Sequence, residues 1–137
     1  MKKKNNERGF TLAELLIFVA IIAVLVAISI PIFNSKLEAA REATDVSNLR
    51  GAYALAQAEA LTDQPASTVT KYYDIKGDWA ASATAASKGK GTSISTGTNY
   101  QLPANCTYTT GDDCTGRVIE VQYDKDGVKS CKFVTPS

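Results

Sequence analysis

Residues 15–35 form a run of 21 without a charge, and up to Phe33 only Ser29 and Pro31 depart from apolar character. As a helix rising about 1.5 Å per residue, this run measures roughly 32 Å, close to the thickness of a bilayer's hydrocarbon core. A helix apolar on every side must lie in lipid or among apolar partners. Ahead of it, residues 1–9 carry Lys2, Lys3, Lys4 and Arg8 against Glu7 alone. That bias keeps the N-terminus cytoplasmic and exports everything after Lys36. A cleaved secretory signal has the same order of parts, with Ala27-Ile28-Ser29 as its small-residue cut site. Against that reading, the run is long for a signal, and Glu14 sits in its first turn, where a lone carboxylate costs about 2.5–3.5 kcal/mol at mid-membrane. A cut after Gly9 would instead give Phe10 a charged α-amino group able to pair with a carboxylate four residues on.

The rest of the composition points away from catalysis. The 137 residues suffice for one domain of ordinary size, and 15 Lys and Arg against 14 Asp and Glu give no global drive towards nucleic acid. No histidine is present, which removes the commonest general base and the imidazole ligands of most zinc and copper sites. Neither paired carboxylates nor a nucleophile with a base can be discerned. We therefore expect no enzyme, no cofactor and no nucleic-acid partner.

The segment Gly9-Phe10-Thr11-Leu12-Ala13-Glu14, behind a basic leader and ahead of the apolar run, resembles the N-terminus of a type IV prepilin, type IVa-like with a class III signal. The resemblance covers about the first 60 residues. It implies that a prepilin peptidase cuts between Gly9 and Phe10 and N-methylates Phe10, so that the apolar helix stays on the mature chain. By the same resemblance Glu14 assists subunit docking with Phe10, and Pro31 matches a helix-kinking proline. Ala13 departs from the larger aliphatic residue found in many members. An assembly platform with its cytoplasmic ATPase and further copies of the chain are the implied partners.

The helix is expected to continue past the apolar run, because residues 36–61 are rich in Ala, Leu, Glu and Arg and hold no proline. Val46, Leu49, Tyr53, Ala56 and Ala60 recur at three- and four-residue spacing and should pack on a head. Glu38, Arg41, Glu42, Asp45 and Arg50 should face water, subunits or loops, most simply as a solvated face. Asp63, Gln64 and Pro65 end the pattern, and Pro31 should bend or locally melt the helix.

Beyond Pro65 the chain turns to Ser, Thr, Gly and Ala, with residues 69–75 and 93–94 as weak strands. Residues 80–92 are nearly low-complexity, and the whole stretch 67–98 reads as exposed, variable and flexible. Residues 117–123 and 128–134 are better strands, joined through Asp124-Lys125-Asp126-Gly127 as a hairpin. The fold class is thus α+β, a long N-terminal helix packed on a small antiparallel sheet of three or four strands. Its parts are a leader at 1–9, an apolar helix at 10–35, an amphipathic continuation at 36–64 and a β head at 65–137.

Cys106, Cys114 and Cys131 all fall in the exported part, where oxidation is allowed, so one disulfide is expected among three open pairings. Their spacings lack a C-x-x-C and argue against a redox or zinc role. Gly89-Lys90-Gly91-Thr92 lacks the earlier glycine and the strand of a phosphate loop. Asp112, Asp113, Asp124 and Asp126 could supply oxygen ligands to calcium, but turn formation explains the latter pair better. Asn105-Cys106-Thr107 fits a glycosylation acceptor. The aromatics Phe10, Phe18, Phe33 and Tyr53 read as packing rather than as an electron path.

The leading function is a structural subunit that polymerises through its N-terminal helix into a surface filament for adhesion, motility or DNA uptake. It would begin as a single-pass membrane precursor. The alternatives are a secretion pseudopilin or minor pilin, and a monomeric exported or membrane-tethered binding module.

Overall fold

The computed structural model describes residues 11–91, 100–108 and 113–137. Helix α1 (Leu12–Asp63) is followed by strands β1 (Val69–Asp74), β2 (Asp78–Trp79), β3 (Cys106–Thr107), β4 (Val118–Asp124) and β5 (Gly127–Val134). The chain divides into two compact units at Leu37/Glu38. The first holds the apolar part of α1; the second holds the rest of α1 and the sheet.

α1 runs unbroken through Pro31, so the missing donor does not melt the helix locally. The Ser29 hydroxyl, two residues before the proline, donates to the Leu25 carbonyl at 2.7 Å. At the C-terminus, Gln64 takes a left-handed φ of 44°, which turns the chain out of the helix before Pro65. Lys125 N then donates to the Pro65 carbonyl at 3.1 Å and ties this exit to the β4–β5 turn.

The sheet has the order β2-β1-β4-β5-β3. β4 and β5 form the expected hairpin, with Tyr123 opposite Val128 and Asp124 opposite Gly127. Asp126 N donates to Asp124 Oδ1 at 2.8 Å, and Gly127 closes the turn at φ 116°, a left-handed geometry that favours glycine. The sheet is mixed rather than purely antiparallel, because the short β3 pairs parallel with β5. β2 and β3 are two-residue strands, too short for periodicity to reveal.

The helix stripe packs as its spacing predicts. Leu49, Ala52, Ala56 and Ala60 are buried against Tyr73, Ile119, Val121, Tyr123, Val128 and Cys131, with Tyr53 half-buried beside them. Ile119, Val121 and Tyr123 alternate along β4 towards the helix, while Val118 faces the opposite side. There Ala83 and Ala86 cover it, one within and one just after a 3-10 turn at Ala83–Ala85. This corrects the view of an exposed loop for Ala83 and Ala86, whose small side chains let them cover the sheet; residues 92–98 of that stretch lie outside the described residues. The strand expected at 93–94 lies outside the described residues.

A second correction concerns the helix charges. Glu42 and Asp45 are fully buried rather than part of a solvated face. Their environment comes from chain segments 45 or more residues away, so helical periodicity alone assigned them wrongly.

Candidate functional site

The N-terminal half of α1 presents apolar side chains that no other described residue covers. From Leu12 to Phe33 every large one is between 47% (Val26) and 74% (Leu12) exposed. The mean hydropathy reaches 3.2 over its most apolar window, and by length and composition the helix can cross a membrane. Glu14 lies in its first turn. Its Oε2 accepts from Thr11 N at 3.0 Å, while Glu14 N donates to Thr11 Oγ1 at 3.2 Å. This reciprocal pair is a capping box, which satisfies two backbone donors that a helix start leaves without partners. The T-x-x-E spacing carries that signal in plain letters, beside the docking role that the resemblance implies for Glu14. Gly9 and Phe10 lie outside the described residues.

The strand register brings two of the three cysteines together. Cys106 of β3 stands opposite Cys131 of β5, and the two are not joined by a disulfide in this structure. The hydrogen bond from Cys131 holds the Cys106 thiol below its ordinary range, whereas Cys131, bonded to Cys106 and buried, is pushed up. Cys106 is thus the better thiolate and the half-exposed member of the pair. Cys114 is buried elsewhere, behind the segment that holds Gly91, whose carbonyl accepts from Cys114 N at 3.0 Å. Asn105, the glycosylation candidate, donates its side-chain amide to the Val128 carbonyl at 2.9 Å and is tied to the sheet.

Two groups of polar residues inside the head were not foreseen. In the first, Asp45 accepts from Lys90 N at 2.9 Å and from Gly91 N at 2.7 Å, and Tyr100 Oη donates to Glu42 Oε2 at 3.4 Å. Burial pushes the Asp45 carboxyl up, against the pull of these N–H groups. Burial likewise raises Tyr108, whose buried hydroxyl has no hydrogen-bond partner among the described residues. In the second, Glu59 of α1 receives Lys71 Nζ at 2.7 Å, Trp79 Nε1 at 2.5 Å and the Tyr123 hydroxyl. Trp79 stacks on Tyr123 with centroids 6.2 Å apart, and the Lys71 ammonium stands over both rings. Burial raises the Glu59 carboxyl, but the bonds from Lys71, Tyr123 and Trp79 outweigh it and hold the group low. This cluster fastens the helix to β1, β2 and β4.

Among the described residues no three His, Cys, Asp or Glu side chains gather as a metal site. Asp113 and Asp124 each accept from a backbone N–H two residues on, at 2.9 and 2.8 Å, as turn-forming aspartates do. Asp112 lies outside the described residues.

A long N-terminal helix, bare and apolar in one half and covered by a small sheet in the other, is the architecture of a pilin-like subunit. Residues 4–30 match the family described as the prokaryotic N-terminal methylation motif. The chain is also similar to a fimbrial protein of Dichelobacter nodosus, 36% identical over 107 residues, a match that covers 66% of this chain and 66% of that protein. No solved structure gives a significant match. The chain belongs to the type IV pilin family.

Proposed function

We propose that this chain is cut between Gly9 and Phe10 by a prepilin peptidase, methylated on Phe10, and polymerised through the apolar half of α1 into a type IV pilus. The observation that carries the reading is the uncovered apolar stretch from Leu12 to Phe33, most of which falls within the methylation motif matched at residues 4–30, with one acid, Glu14, in its first turn. In the precursor that surface lies in the membrane, anchored once with the basic leader on the cytoplasmic side. Assembly exchanges lipid for neighbouring copies, and the Glu14 carboxylate then meets the Phe10 amine of the next subunit. Such a pair sets register more than it adds stability, because desolvation offsets most of the attraction. Pro31 serves the same stage as the point where the helix adjusts to its neighbours. A membrane platform and its ATPase extract the subunits, and the finished filament stands on the cell surface.

The three cysteines fit export. Cys106 and Cys131 form the disulfide of the mature head, since they are register partners, and Cys114 stays a buried thiol.

The test is the intact mass and N-terminal fragment sequence of protein sheared from the cell surface. A chain starting at methylated Phe10 is the expected result; a start near Pro31 would mean an ordinary secreted domain, and an intact Met1 a tethered one.

A further inference from the structure

The run Lys88-Gly89-Lys90-Gly91 is built into the head in an unusual way. Its two glycines are buried and its two lysines exposed, in strict alternation. A Cβ on Gly89 would stand 2.4 Å from the Cys114 carbonyl oxygen, and one on Gly91 would stand 3.1 Å from Asp45 Oδ2. Only glycine permits this approach. Hydrogen bonds from Gly89 N to Arg117 O at 2.8 Å and from Cys114 N to Gly91 O at 3.0 Å hold the segment along its inner edge. The lysines alternate with the glycines as exposed residues, and both border a pocket that α1 also lines.

Between them and the helix lies a pocket of about 190 Å³ lined by Thr44, Asn48, Ile75, Ser87, Lys88 and Lys90. Its hydroxyls are committed: Ser87 Oγ donates to Asp74 Oδ1 at 2.6 Å, and Thr44 Oγ1 donates to the Ala40 carbonyl at 2.9 Å. The nearby carboxylates are committed too, Asp74 to Ser87 and Asp45 to the Lys90 and Gly91 amides. Among the described residues, what stays available is donors. Neither lysine forms an ion pair with a described residue, and the Asn48 amide makes no hydrogen bond to one.

We propose that this pocket binds a phosphate group, free or as a phosphomonoester, through the ammonium groups of Lys88 and Lys90 and the side-chain amide of Asn48. Two compact ammonium charges suit a doubly charged oxyanion, for which lysine acts as a point charge. The volume falls below the roughly 300–1,000 Å³ that encloses a whole drug-sized ligand, which favours a single small group. The mode differs from a phosphate loop, in which backbone N–H groups cradle the anion. Here the Lys90 and Gly91 amides already serve Asp45, so side chains must do the binding.

The experiment titrates inorganic phosphate, and separately glycerol 1-phosphate, into the full chain held in uncharged detergent, with calorimetry and backbone NMR shifts as readouts. One saturable site with shifts centred on residues 87–91 and Asn48 is expected. Lys88→Gln with Lys90→Gln should weaken it at least tenfold, while Lys125→Gln in the distant hairpin turn leaves it unchanged. Unaltered circular dichroism would show that each variant is folded. Binding of phosphate alone identifies a free ion as the ligand, and equal or tighter binding of the ester identifies a phosphate carried on a larger molecule. No saturable binding by either probe, or binding indifferent to the two lysines, overturns the proposal.

Discussion

Thr11 and Glu14 each bond the other's backbone N–H, so the carboxylate that the assembly reading assigns to a neighbouring subunit also caps its own helix. The two roles separate by substitution. Gln at position 14 keeps the cap, which needs only an oxygen, and loses the charge; Ala loses both; Thr11→Val loses only the hydroxyl half of the cap. We expect Glu14→Gln and Glu14→Ala to lower filament yield alike, consistent with about 3–5 kcal/mol for a buried cation left alone, and Thr11→Val to cost about 1 kcal/mol of helix stability with filaments still formed. Normal yield from Glu14→Gln, measured on sheared surface material, would remove the charge from the assembly mechanism.

The proposed Cys106–Cys131 disulfide predicts one cross-linked peptide pair in the exported protein, with Cys114 alkylatable only after unfolding. Closing that loop should add roughly 3–4 kcal/mol in the chain-entropy treatment. Peptide mapping without reduction decides it; a bridge to Cys114 would show that the register of β3 against β5 does not govern pairing.

Glu59 should make the head acid-sensitive. Its folded carboxyl lies below the ordinary value near 4.5, so it stabilises the fold above that value, and the contribution fades as pH falls below it. Asp45 acts in the opposite sense: with its folded carboxyl raised, protonation favours the fold, and that help is lost as pH rises through the raised value. Thermal unfolding of Glu59→Gln between pH 3 and 7 should show a loss of about 1–3 kcal/mol at neutral pH that shrinks towards acid. A loss equal at every pH would mean that the charge contributes nothing.

Gly89→Ala tests the close approach directly. The added methyl would meet the Cys114 carbonyl, a backbone atom that the Cys114–Gly91 and Arg117–Cys114 hydrogen bonds hold in place. Overpacking of this kind costs about 1–3 kcal/mol. By comparison, Gly51→Ala would meet the Tyr73 hydroxyl, the far end of a movable side chain, and should cost less in the same denaturation series.

What could be read from the letters follows from how local each cause is. The apolar helix, the stripe on its second half and the β4–β5 hairpin are written in periods of four and two residues and in one turn. Glu42 and Asp45 escaped because their partners are loop groups far along the chain, and no local pattern marks an acid that will be buried by backbone amides. Glu59 escaped for the same reason, its donors coming from β1, β2 and β4. β3 is two residues long and exists only because Cys106 and Thr107 lie beside a strand already formed.

The helix face beneath the sheet is made largely of alanines, at 52, 56 and 60, each one turn from the next. Cutting such a side chain down removes a single methyl, so this face has little to lose by erosion and much to lose by growth. A Leu at position 56 would act as a wedge, lifting β4 and the Glu59 cluster together. In a lineage of such subunits, the loops are then free to change while this face is held by an upper limit on size.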